Sequence, residues 1–229
     1  MQQIHHIHSR VFQNSIQSAM RFVPIVNLVS GEIVSFAAET QSEFDDRPRF
    51  GPRSQLRLSA VAPNTPADWL CQHLIALADT GVSLNTKLPV SLKMPRASLF
   101  HNGMGSRCAA SLDHTTASAG EFSFEVSLGA LASTRSTPSQ LLKPFADAGF
   151  HITLDATQFD DGSALNITPG LIGAIKIDAG WVDSKENTHL LEQARREDWA
   201  VIAENAAWRD GEYLASLGVH YAIQPRTDA

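Results

Sequence analysis

The sequence holds two cysteines, Cys71 and Cys108, and neither belongs to a CxxC pair. Two lone thiols fit buried packing in a reduced, cytoplasmic setting. Positive charge is also scarce: 18 Lys and Arg against 24 Asp and Glu, a formal net charge of -6 and a pI near 5.8. A chain that tracks a nucleic-acid backbone needs a basic surface, so nucleic acid is excluded as a partner. No apolar run approaches the length of a membrane span, which excludes the membrane as a partner. The stretch Met1–Arg21 is polar with spaced apolar residues and does not read as a secretory signal. Asn102-Gly103-Met104-Gly105 lacks the lysine and serine that complete a phosphate-binding loop, and reads as a flexible connection.

What is present is enough for one large domain: 229 residues, 43% hydrophobic. Eight short segments read as strands: Phe22–Val29, Glu32–Thr40, Pro89–Met94, Phe122–Leu128, His151–Ala156, Ala174–Asp178, Ala200–Glu204 and Val219–Gln224. Most are apolar on both faces, as strands covered on both sides should be. Helical patterns alternate with them. Thr65-Pro66-Ala67-Asp68 and Thr137-Pro138-Ser139-Gln140 are capping starts with proline in the first turn, and Gly81 and Gly149 are stops. Pro144 is expected to kink or shorten the second of these helices. Further helices carry Leu190, Leu191 and Ala194, and then Tyr213, Leu214 and Leu217. This alternation implies an α/β fold, a (β/α)8 TIM-like barrel.

Only Ser30-Gly31 separates the first two expected strands, and so short a link joins antiparallel strands only. The first strand should therefore run against the rest. Ile4, Ile7, Val11, Ile16 and Met20 fall near one helical face, which divides the chain into an N-terminal helical segment, 1–21, and a barrel, 22–229. With Ala229 five residues past the eighth expected strand, no helix is expected after it in this sequence, and the N-terminal face is a candidate to supply one. His5-His6-Ile7-His8 reads as a solvated polar stretch. Arg47, Arg49, Arg53 and Arg57 lie with Pro48 and Pro52 in what reads as an exposed loop.

In order along the chain, Phe22–Leu28 with Ser30–Phe36 resembles the opening "YQPIVDLxTGEIVGFEALLRW" of the EAL domain family. Pro89–Leu92 is similar to "VSVNLS", and Phe124–Leu128 to "LEITE". Leu154-Asp155-Ala156 followed by Ile175–Asp178 resembles "LDDFGTG…LKID" at the family's spacing. Ala203–Ala207 is similar to "AEGVE", and Gly218–Ala222 to "GCDYAQG". The resemblance implies the barrel of cyclic-di-GMP phosphodiesterases. Their active members hold two divalent cations on hard oxygen ligands and use a metal-activated water.

Residue by residue, that machinery fails to carry over. The glutamate that names the motif is Ala37, the asparagine ligand is Ser91, and the second aspartate of the paired set is Ala156. Leu128 and Ala207 replace two more glutamates. On the ligand side, Val23 and Gln41 stand where the family's glutamine and arginine contact the dinucleotide. Arginine pairs with phosphate bidentately, and glutamine brings no charge. The remnants are Glu125, Asp155, Lys176 and Glu204, read as an ion cluster kept for structure, with a single cation at Asp155 and Glu125 left open. No metal or other cofactor is expected. The expectation is a non-enzymatic regulator of the motility and biofilm kind, acting through another protein, with cyclic-di-GMP a poor ligand. Its partner-binding candidates are Val11, Phe12, Arg49 and Arg53. The rivals are a non-catalytic cyclic-di-GMP receptor and a weak metal-dependent phosphodiesterase.

Overall fold

The computed structural model describes residues 20–40, 65–81, 88–132, 136–158 and 166–224. Eight strands close into a barrel in chain order. They are β1 (Met20–Asn27), β2 (Ile33–Thr40), β3 (Val90–Lys93), β4 (Phe122–Ser127), β5 (His151–Asp155), β6 (Ala174–Asp178), β7 (Ala200–Glu204) and β8 (Tyr221–Ala222). Strand β1 is antiparallel to both β2 and β8, and the remaining pairs are parallel. The reversal expected from the sequence is present, but the link is longer than Ser30-Gly31. Residues 28–32 join β1 to β2, because the Asn27 carboxamide accepts from the Val29 and Ser30 amides and folds the chain before Gly31 turns at φ +73°. Gly31 meets that left-handed requirement without a Cβ penalty.

Parallel strands need crossovers, and seven helices were found among the described residues: α1 (Pro66–Asp79), α2 (Arg96–Leu99), α3 (Met104–Leu112), α4 (Leu128–Ala132), α5 (Pro138–Asp147), α6 (Lys185–Arg196) and α7 (Gly211–Ser216). The Thr65 hydroxyl accepts from the Asp68 amide and opens α1. Thr137 and Gln140 form a full capping box on α5. Helix α5 is not ended by Pro144 and continues to Asp147. The Pro144 carbonyl lies against Gly105 of α3, and a Cβ on Gly105 would fall 2.6 Å from the Pro144 carbonyl carbon. The stretch Asn102–Gly105 is thus no flexible connection. Gly103, at φ +71°, turns the chain into α3, and Gly105 is where α3 meets α5.

Alternation along the strands separates two environments. Outward residues such as Leu92, Phe124, Leu154 and Ile177 are at most 1% exposed and pack under the helices with Leu70, Leu74, Leu142 and Leu190. Phe124 meets Phe145 edge-on at 5.6 Å and Phe150 at 4.7 Å. Burying each such side chain contributes about 1.5–3 kcal/mol. The opposite parity points into the barrel. At the amino-terminal ends of the strands it places Ile25, Ala174 and Ile202 in a second, smaller cluster with Ala37 and Ile223.

The N-terminal candidates Val11 and Phe12, the histidine cluster, the arginine candidates Arg49 and Arg53, and Gln41 all lie outside the described residues. The described chain begins β1 at Met20, two residues ahead of the expected start. Met20 pairs with Thr40 at the carboxyl end of β2, so the segments 1–19 and 41–64 both join the barrel at that end. No helix among the described residues is long and apolar enough to cross a membrane.

Candidate functional site

The barrel mouth is the carboxyl end of the parallel strands, where side chains from different strands converge. Strand parity sends Glu125, Asp155, Lys176 and Glu204 into it from β4, β5, β6 and β7. Their registers match across the sheet: Asp155 faces Lys176, and Asp178 faces Glu204. The Lys176 ammonium donates to Glu125 Oε2 at 2.6 Å and lies 3.6 Å from Glu204 Oε2. The Ser91 hydroxyl donates to the other Glu125 oxygen, Oε1, also at 2.6 Å. Glu125 and Lys176 are each 6% exposed, so this is a buried, charge-assisted pair.

The electrostatics follow from burial and from an excess of carboxylates. Burial alone would pull the Lys176 pKa down. The charges of Glu125, Asp155 and Glu204 outweigh it and hold the ammonium above the ordinary lysine value. Burial also pushes Asp155 up, but Lys176, two bonds from Thr157 and the charge of Lys93 bring its carboxyl below the usual range. Glu204 goes the other way. Burial and the charges of Glu125 and Asp155 raise it, and Lys176 only partly offsets them. One Lys176 cannot satisfy three carboxylates.

Three positions that the resemblance marks as lost can be located as well: Ala37 belongs to the small inner cluster, Ala156 to the core under the helices, and Val23 packs against the inner cluster. Ala37 on β2 sits beside Ser91 on β3 and is 8% exposed, while Ala156 follows Asp155 and is 3% exposed. Val23 pairs with Ala37 across the β1–β2 ladder. Neither alanine carries a donor atom. The Glu125 oxygens are taken by Ser91 and Lys176, and one Asp155 oxygen by Thr157. The residues present therefore do not fit a pair of divalent cations, which need a converging set of oxygen ligands. Among the described residues, no group of three or more His, Cys, Asp or Glu is arranged to hold a metal ion.

Sequence reading missed three contributors. Thr157 fixes Asp155 through its hydroxyl at 2.6 Å and its amide at 3.1 Å. Lys93 bears on Asp155 by charge. Asp178 accepts from the Asn205 carboxamide at 2.6 Å and ties together the turns after β6 and β7. The parity of Lys93 and Asp178 was available as a signal, since each lies two residues from an inward position. The Thr157 contact depends on the turn after β5. A cavity of about 450 Å³ lies below this layer, among Ile25, Leu88, Ser91, Ser123, Thr153 and Ile202. It opens toward the amino-terminal ends of the strands, away from the mouth.

The fold is shared with solved EAL proteins. Bd1971, solved with cAMP and cyclic-di-GMP bound, superposes with a TM-score of 0.63 at 17% identity, over 96% of this chain and 65% of that one. The chain thus spans about two thirds of the length of Bd1971. The EAL domain of DcpA from Mycobacterium smegmatis gives 0.62 at 14% identity, over 90% and 89%. BlrP1 from Klebsiella pneumoniae, in a manganese and cyclic-di-GMP complex, gives 0.66 at 17%, over 90% and 54%. No curated protein sequence matches significantly. The sequence itself matches the EAL domain family over residues 9–221, nearly the whole barrel, and the chain belongs to that family.

Proposed function

We propose that this protein is a non-hydrolytic EAL protein that works in cyclic-di-GMP-linked signalling by binding another protein. The observation that carries the reading is the state of the mouth: Ala37 and Ala156 offer no ligand atom, the Ser91 hydroxyl is bound to Glu125, and Lys176 sits against Glu125 and Glu204. Cyclic-di-GMP carries two phosphodiester anions. A mouth with Glu125, Asp155 and Glu204 against Lys176 repels such anions unless metal ions intervene. Val23 supplies no polar contact, and each missing charge-assisted hydrogen bond weakens binding by about 1.5–3 kcal/mol.

The protein-contact half of the reading draws on position. The segments that hold Val11 and Phe12, and Arg49 and Arg53, join the barrel at paired residues, Met20 and Thr40, on the rim of the mouth. A basic stretch on a net-negative chain suits an acidic partner.

Two measurements test the proposal. Incubation with cyclic-di-GMP and Mg²⁺ or Mn²⁺ should give no linear product above a no-protein control, and chelator-sensitive product overturns the reading. Calorimetry should show weak or no binding of the dinucleotide. Low-micromolar affinity replaces the proposal with the receptor reading. For the partner, Arg49→Glu with Arg53→Glu should abolish co-purification, read on protein whose melting temperature is unchanged. Val11→Asp with Phe12→Asp is the parallel test, read only on protein that melts normally. Undiminished co-purification in both folded variants excludes these surfaces.

A further inference from the structure

The amino-terminal half of the barrel interior differs from the mouth. Two residues before Lys93, Glu125, Asp155 and Lys176 on their strands stand Ser91, Ser123, Thr153 and Ala174. Alternation along a strand turns them inward, one layer below the charged one. Barrels of this kind fill such a layer with bulky branched side chains. Here the bulk comes from across the barrel, from Ile25 and Ile202. Small residues on four consecutive strands leave a cavity of about 450 Å³. Small-molecule sites occupy about 300–1,000 Å³.

The polar part of the wall is lopsided. Ser91, Ser123 and Thr153 are each 4% exposed. The Ser91 hydroxyl gives its hydrogen to Glu125, so it has only lone pairs left to offer. Ser123 and Thr153 share one hydrogen at 2.8 Å, which leaves one hydrogen and several lone pairs between them. Acceptors therefore outnumber donors. An anion would meet Glu121 in the wall and the Glu125 carboxylate behind Ser91. A cation would face the Lys176 ammonium behind Glu125, while the Glu121 oxygen is held by the amide and hydroxyl of Ser118. Either charge would leave water for neutral hydroxyls, at a high cost. A neutral ligand with a hydrogen to give escapes these costs.

We propose that this cavity is a binding site for a neutral, mostly apolar molecule of two or three rings that carries an N–H or O–H donor. The donor meets the Ser91 oxygen, and the rings lie against Ile25, Ile152 and Ile202. Rings fill the volume with little internal freedom to lose on binding. The site is separate from the mouth, because the bonded pair of Glu125 and Lys176 forms the layer between them. Ile25 and Ile202 also belong to the small inner cluster, so a bound ligand completes the packing of that part of the barrel.

The test uses the whole chain and two fluorescent probes, 2-phenylindole and 1-methyl-2-phenylindole, the second lacking the N–H. The first should bind saturably and raise the melting temperature as its concentration grows. The methylated probe should bind at least about tenfold more weakly, since it leaves a buried acceptor unmet. On isotope-labelled wild-type protein, the amide signals of Ser91, Ser123, Thr153 and Ala174 should move with 2-phenylindole, and those of Ala156, Glu204 and Asn205 should hold. Ala174→Leu fills the cavity and should abolish binding in protein that melts normally. If that variant fails to fold, the wild-type amide map and the probe pair decide. The proposal is overturned by the absence of saturable binding, by equal affinity for the two probes, or by amide changes confined to the mouth. Full affinity in folded Ala174→Leu overturns it as well.

Discussion

Lys176 is the residue on which the mouth depends. It is buried among Glu125, Asp155 and Glu204, and removing one member of such a set leaves charge without compensation. Lys176→Met should lower stability by about 3–5 kcal/mol, read as a shifted urea midpoint at an unchanged slope. Asp155 and Glu204 should then respond to pH with opposite signs. The folded pKa of Asp155 lies below its unfolded value. Its contribution is present at neutral pH and is lost as pH falls through the folded value. Asp155→Asn should therefore destabilise at neutral pH, with the gap closing in acid. Glu204 is raised in the fold, so its contribution is present below the unfolded value and is lost as pH rises through the folded one. Glu204→Gln should leave the neutral protein as stable or more stable, with the difference fading in acid. Equal behaviour of the two variants in melts across pH would refute this account of the cluster. The four members could be read from the sequence because strand parity and motif spacing aim them inward. Ser91 could be read only as a lost ligand. Its bond to Glu125 requires the β3–β4 register, which follows from long-range pairing and leaves no local mark.

Caps and stops legible in the sequence located α1 and α5, and Thr137→Ala should cost about 1 kcal/mol, as a lost N-cap does. Helix α3 escaped because Gly105, Ala109 and Ala110 dilute its apolar pattern. Its stripe of Met104, Cys108 and Leu112 was nonetheless at helical spacing, and all three are buried. Pro144 looked like a helix breaker. Helix α5 continues past it, packed through Phe145 and Leu142. Packing of a helix face can outweigh one missing backbone bond. The α3–α5 contact gives a sharper prediction. Gly105→Ala puts a methyl group into the Pro144 backbone, which cannot yield as a flexible side chain would. Overpacking of this kind costs about 1–3 kcal/mol or more. Gly103→Ala tests a different cause: open space surrounds Gly103, so any loss there comes from its left-handed backbone alone. Denaturation curves should rank Gly105→Ala as the more damaging of the two.

At the scale of the molecule, strand order and the reversed first strand were legible because alternation and a short link restrict the topology. Closure was legible too, but not how slender it is, because the eighth strand expected over Val219–Gln224 pairs over Tyr221–Ala222 alone. Strand β8 is two residues long, and it meets β1 through only Val26 with Ala222 and Asn27 with Tyr221. By contrast, β1 and β2 are paired along nearly their whole length, with a bulge between Ile25 and Val26. The cylinder therefore has a seam, and the hairpin beside it is a single panel hinged on β2. Opening the seam breaks few hydrogen bonds and exposes the small inner cluster around Ile25 and Ile202 before the helical layer is disturbed. Amide exchange should reveal this order. The Leu28 amide, bonded to the His220 carbonyl, should exchange through a low-energy opening, while Ile175 and Ile177 exchange only with global unfolding. If those amides exchange together, the barrel opens as one unit. If Leu28 leads, the panel beside the mouth is a part that a bound protein could hold shut or prise away, and such a grip would change protection along the seam without touching a single carboxylate.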